Sequence, residues 1–256
     1  MDINGKTAII TGGASGLGEA TVRRFASLGG RVAIFDLNDE RGKAIAGELG
    51  DNVTYLAVDV TDEAGVTGAI ETVEERFGPA HICCNFAGIG YPCKTFGKDG
   101  PHPLEPYKRV LMVNLIGTFN VARLAAQSIA KNEPLTEDGQ RGVIINTASV
   151  AAYEGQMGQV AYSSSKGGIV GMTLPMARDL ASCGIRCNTI VPGLIRTPLF
   201  ERLKPEVIEA LSASVLNPRR LGRADEIART AQFIVENDYV NGECIRVDGG
   251  IRMQPR

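Results

Sequence analysis

A chain of 256 residues with 44% hydrophobic and 22% charged residues has enough apolar material for one large core. Its net charge of −2, with lysine and arginine scattered along the chain, excludes the basic field that nucleic-acid binding needs. Six cysteines without a C-x-x-C pair, two histidines and no evident apolar run of membrane-spanning length argue against a disulfide frame, a histidine-based metal site, a Ser–His triad and a membrane anchor. The opening MDINGKTAIITGG lacks a signal-peptide layout, so a cytoplasmic protein with reduced thiols is the expectation.

Short β-branched runs alternate with longer helical stretches, which predicts one α/β domain over 1–256: a Rossmann-type, doubly wound parallel sheet of about seven strands flanked by helices. Residues 6–11 read as a first strand buried on both faces, because apolar residues do not alternate with polar ones. A helix follows from Gly16 to Leu28, then a strand over 31–36 and a helix over 39–49. A third strand spans 53–59 and its helix runs to Phe77, before a fourth strand over 80–88 ends in a turn. Residues 90–106 look like an inserted surface loop, and a helix resumes over 107–130.

Beyond a polar loop at 132–141 come a fifth strand (142–149), a long helix (158–182) and a sixth strand (184–191). The stretch 193–216 reads as a flap over the substrate, followed by a helix over 224–236 and a final strand over 242–250. Gly167, Gly168, Gly171 and Pro175 should weaken the long helix, and they suit the close approach of a partner helix.

Between the first strand and its helix, TGGASGLG carries Gly12, Gly16 and Gly18 in the spacing G-x-x-x-G-x-G. Such a turn admits unusual backbone angles and brings helix N–H groups close to a pyrophosphate. Asp36 closes the second strand, where its carboxylate can accept ribose hydroxyls and repel a 2′-phosphate, favouring NAD over NADP. A helix-capping role for Asp36 is the alternative. Asp59, at the end of the third strand, could meet the adenine amino group or cap the helix beginning near Thr61. The turn Asn85, Phe86, Ala87 and Gly88 is small enough, apart from Phe86, to let a cofactor lie against the backbone.

Tyr162 and Lys166 stand four apart and so share a helical face, while Ser149 ends the fifth strand. At the carboxyl edge of one sheet the three could act together. An ammonium lowers the phenol pKa, the phenol exchanges a proton with an alcohol or ketone, and the serine binds the substrate oxygen. Asn114, polar within an apolar stripe, could bend its helix and hold a water leading to Lys166, or be a satisfied buried amide.

With TGGASGLG, NFAG, Asn114, Ser149, YSSSK and VPG (191–193) in order, the chain resembles the short-chain dehydrogenase/reductase family over nearly its full length. Phe86 departs from the family's usual NNAG. The stretches 132–159, 167–181, 241–255 and the 90–106 insertion resemble a narrower group within it, NAD-dependent homotetramers that oxidise 3-hydroxyacyl-CoA esters and some steroids.

That resemblance implies NAD contacts at Ser15, Leu17, Asp36, Asp59, Val60, Phe86, Tyr162 and Lys166, with Ile195 and Thr197 beside the carboxamide and Pro192 and Gly193 in the VPG turn. It puts Gln159 against a small-molecule substrate; Lys94, Lys98, Arg202 and Lys204 could attract CoA phosphates, with simple solvation of a loop as the alternative for each. Other readings are a 17β-hydroxysteroid or general secondary-alcohol dehydrogenase, a 3-oxoacyl-carrier-protein reductase, and a non-catalytic NAD-sensing module.

Overall fold

The computed structural model describes residues 1–98, 100–197 and 204–255. Seven strands form one parallel sheet: β1 (Thr7–Thr11), β2 (Arg31–Asp36), β3 (Val53–Ala57), β4 (Ile82–Asn85), β5 (Gly142–Thr147), β6 (Ile185–Pro192) and β7 (Cys244–Val247). Their spatial order is β7-β6-β5-β4-β1-β2-β3, with every pairing parallel. Chain order reverses between β1 and β4, so the crevice beyond their carboxyl ends is where a ligand fits.

The central strands are mostly apolar because both of their faces are covered, and the polar residues they carry, such as Asn146, Arg186 and Asn188, are buried too. All residues of β1, β5 and β6 are buried. Neighbours on β1 point to opposite cores. Ile9 packs with Val66, Val73, Val121 and Ile129 of α3 (Glu63–Phe77) and α5 (Thr118–Ile129). Ile10 packs with Val22 and Phe25 of α1 (Gly16–Ser27) and Ile227 and Ile234 of α8 (Ala224–Glu236). Helix α2 (Asp39–Leu49) covers the far end of the second face through Ile45.

Several local features differ from the sequence expectations. Helix α4 (Leu104–Leu111) starts earlier than residue 107, because Pro106 sits in the first turn, where no intrahelical N–H bond is lost. It continues through a π-turn at Met112–Gly117 into α5. The whole run Leu104–Ile129 is long and apolar enough to cross a membrane, contrary to the sequence reading. Here it is a core helix, with Val121, Ala122, Ala125 and Ile129 fully buried. The insertion carries a two-residue antiparallel pair, Phe96–Gly97 with Gly100–Pro101.

Helix α6 (Val160–Leu180) runs unbroken through Pro175. Gly168 packs on Leu115, where a Cβ would lie 2.6 Å from Cδ2, and Gly167 and Gly171 face open space. The flap contains α7 (Pro205–Ala213), which no sequence pattern had marked. Its residues 198–203, Arg202 among them, lie outside the described residues. All six cysteines are free thiols. Burial pushes Cys83 and Cys187 up to about 12, which leaves them core residues without thiolate reactivity.

Candidate active site

The glycine turn is built so that a ligand can reach the backbone. Gly12 has φ 65°, and a Cβ there would lie 2.8 Å from the Ala87 nitrogen. At Gly18 a Cβ would meet the Gly12 oxygen at 2.2 Å, so only glycine lets α1 approach β1 this closely. Ser15 is the N-cap of α1 but makes no side-chain cap bond, so the N–H groups at this helix start point into the crevice with their positive dipole end.

Asp36 pins this loop: Ala14 N–H donates to its Oδ2 at 3.0 Å and Asn38 N–H to its Oδ1 at 2.9 Å. The cap of α2 is Asn38, whose side chain accepts from Arg41 N–H, so the capping alternative for Asp36 falls away. Asp59 likewise does not cap α3, a task Asp62 performs. It accepts instead from the N–H and hydroxyl of Thr61.

A cleft of about 840 Å³ runs along these groups, lined by Gly12, Ser15, Gly16, Leu17, Gly18, Asp36, Asp59, Val60, Phe86, Ala87, Gly88 and Thr197. It meets a second cavity of about 400 Å³ through Leu17, Phe86, Gly88 and Thr197. Ser149, Gln159, Tyr162, Lys166, Pro192, Gly193 and Ile195 line that second cavity. A long dinucleotide fits the first space, with an oxygen-bearing substrate at the second. Glycine clearance at Gly12 and Gly18, a helix N-terminus for phosphates and a carboxylate for ribose hydroxyls all match a nicotinamide dinucleotide.

Ser149 lies just past β5, where its Oγ accepts from Ala151 N–H at 3.1 Å and caps a short 3₁₀ turn. Its hydroxyl also hydrogen-bonds the Tyr162 phenol. Lys166 is 4% exposed and donates to the Thr147 carbonyl at 2.7 Å. Burial pushes its ammonium down to about 8, a displacement worth roughly 3 kcal/mol that the fold must offset elsewhere. Burial also raises the Tyr162 phenol, and the Ser149 hydrogen bond pulls it partly back. The sequence expectation that the ammonium lowers this phenol is not the leading effect. Lys166 Nζ lies over the ring, 5.7 Å from its centroid, and its donated bond goes to Thr147.

Asn85 and Asn114 line neither cavity. Asn85 donates to Asn146 Oδ1 at 2.9 Å and ties β4 to β5 beneath the site. Asn114, fully buried in the π-turn, accepts from Ile89 N–H at 2.8 Å and donates to the Ile89 carbonyl and the Ser165 hydroxyl. Both of its side-chain donors are engaged within the protein, so it is the satisfied amide and not a water holder through its NH₂. Losing it would strand these groups at about 1–3 kcal/mol each. The widened turn is what brings the amide to the backbone at Ile89.

Sequence reasoning did not mark Ile89, just before the insertion, Tyr91 and Pro92 within it, or Met253 near the C-terminus as parts of the substrate-side wall, whereas Leu194 belongs to the expected flap. Only the position of the insertion straight after NFAG signalled that it reaches the site. Lys94, Lys98 and Lys204 line neither cavity.

A parallel sheet of this order, with a glycine turn after β1 and a Ser–Tyr–Lys set at its carboxyl edge, defines a nicotinamide-dependent oxidoreductase fold. The chain belongs to the short-chain dehydrogenase/reductase family, and its residues 12–252 match the family model described as enoyl-(acyl carrier protein) reductase. It is 52% identical to the 3-hydroxyacyl-CoA dehydrogenase type-2 of Homo sapiens over 99% of this chain and 97% of that protein. The Drosophila melanogaster protein of the same name is 49% identical over 99% and 100%. A crystal structure of 3-hydroxyacyl-CoA dehydrogenase type-2 from Mycobacterium avium superposes with a TM-score of 0.93 at 44% identity, covering 98% of each chain.

Proposed function

We propose that this protein oxidises 3-hydroxyacyl-CoA thioesters to 3-oxoacyl-CoA with NAD. The observation that carries the reading is the convergence of Ser149, Tyr162 and Lys166 in a cavity that opens onto a cleft holding Asp36. The names of relatives about half identical to this chain point to the same substrate class. Asp36 supports NAD, since its carboxylate would face a 2′-phosphate with like charge.

When bound, NAD supplies the ring that accepts a hydride from the carbinol carbon. Ser149 holds the substrate hydroxyl and already contacts the phenol. Tyr162 takes the hydroxyl proton at Oη. Lys166, with one N–H on Thr147, has two donors left for ribose hydroxyls and places its positive charge beside the forming phenolate. Leu17, Phe86, Ile195 and Leu194 exclude water around the reacting carbon.

Initial rates with NAD and NADP test this on 3-hydroxybutyryl-CoA, its 2-methyl analogue and a 17β-hydroxysteroid. The expected result is NAD reduction fastest with a thioester. Preference for the steroid would replace the substrate assignment, and preference for NADP would favour a carrier-protein reductase. A homotetramer is part of the same proposal, supported by exposed Ile116, Phe119 and Leu174 on the α5 and α6 side and by open space at Gly167 and Gly171. Light scattering at micromolar concentration should give four subunits, and a monomer would overturn that part.

A further inference from the structure

The segment Ile251–Pro255 is tied to the stretch 154–157 by hydrogen bonds and an ion pair. Met157 N–H donates to the Pro255 carbonyl at 3.0 Å, and Gln156 Nε2 to the Gln254 carbonyl at 3.0 Å. Glu154 stands at the centre of an ion network. Arg246 reaches its two oxygens at 2.9 and 3.1 Å, Arg252 lies at 3.5 Å, and the Met253 backbone N–H also donates to its carboxylate. The arginine beside it holds Glu154 below the usual carboxylate range. Asp248 adds contacts to both arginines, at 2.8 and 3.3 Å.

Between these anchors Ile251 is 2% exposed in a core with Val150 and Val191, and Met253 packs against the same cluster. Met253 is the residue of this segment that lines the 400 Å³ cavity, among residues that include Ser149, Gln159 and Tyr162. Gln156, which holds the tail, also donates its N–H to Gln159 Oε1 at 2.9 Å. Tail and substrate-side glutamine are therefore set by one short segment, 154–159.

We infer that the segment Ile251–Pro255 is a fixed wall of the substrate cavity and that Met253 sets the size of the acyl group accepted. The inference deepens the thioester reading and rests on it for the identity of the chain that meets Met253. A flexible thioether is suited to an adaptable apolar wall, and one methylene in such a pocket changes discrimination by about tenfold or more.

The test is kcat/KM for the full-length protein and its Met253→Ala, Met253→Phe and Met253→Leu variants on straight-chain 3-hydroxyacyl-CoA esters of increasing length, with 2-alkanols of matching length in parallel. Met253→Ala should shift the ratio of long to short substrate upward by about tenfold, Met253→Phe should shift it downward, and Met253→Leu should leave it in place. NAD affinity should stay the same in all of them. An unchanged ratio in both Met253→Ala and Met253→Phe, read on whichever series the unmodified protein oxidises, overturns the wall. Oxidation of alkanols but of no thioester would instead sink the thioester reading while the ratio still decides the role of Met253. If circular dichroism shows Met253→Ala misfolded, Met253→Phe and Glu154→Gln decide. Glu154→Gln frees the tail from outside the cavity and should shift the ratio upward as Met253→Ala would.

Discussion

Tyr162→Phe should lower kcat by about 10²- to 10⁴-fold, the usual worth of a positioned acid/base group, while NAD still binds. The variant removes one oxygen from a half-buried phenol and leaves the ring under Lys166 Nζ in place, so little structural change accompanies the loss. Stopped-flow turnover and a cofactor titration by fluorescence measure the two effects separately. A protein that only binds NAD would show no change in either.

The pH dependence has a definite sign. Oxidation needs the phenol deprotonated, so the rate should rise with pH, and reduction of the ketone should fall over the same range. Burial alone raises this phenol, so in the protein without cofactor few molecules are phenolate at neutral pH. The positive charge of Lys166 and of the oxidised cofactor must supply the lowering. Lys166, itself displaced to about 8, loses its charge in that alkaline range. The rise should therefore flatten above it. Tyr162→Phe should abolish the rise altogether.

The second large effect is expected at the loop acid. Asp36→Asn removes the charge and keeps an acceptor for one of the Ala14 and Asn38 N–H groups, which bond separate carboxylate oxygens of Asp36. Like-charge apposition costs several kcal/mol, so the NAD-over-NADP preference in kcat/KM should fall by about 10²-fold, chiefly through better use of NADP. Parallel Michaelis curves with the two cofactors measure this. An unaltered preference would mean that the carboxylate does not face the 2′ position.

Much of this site was legible because its parts lie at strand ends. Gly12, Asp36, Phe86, Ser149 and Pro192 each follow or close a β-branched run, and a parallel sheet gathers such points along one edge. The capping alternatives could not be settled that way, since Asp36 and Asn38, or Asp59 and Asp62, are equally good caps in sequence, and only backbone angles choose between them. Nor could Asn114 be resolved, because a π-turn leaves no periodic trace in six residues. Met253 was invisible for another reason: its place in the cavity depends on Glu154, almost a hundred residues away.

Strand boundaries also came out shorter than the apolar runs, as at β3, where Val58 and Asp59 leave the ladder to form the cleft. The length of α4 through α5 misled in the opposite sense. Its apolar residues form no single unbroken run, yet the helix is long and apolar enough for a membrane span, and burial against the sheet is what accounts for them.

The most direct measurement follows deuterium from the carbinol carbon of 3-hydroxybutyryl-CoA, with NAD as the acceptor and mass spectrometry of the recovered cofactor. The account expects the label in the reduced cofactor, a slower rate than with the unlabelled thioester, and transfer reduced by orders of magnitude in Tyr162→Phe. Tight NAD binding with no label transferred from this thioester, or unimpaired transfer in Tyr162→Phe, would contradict it.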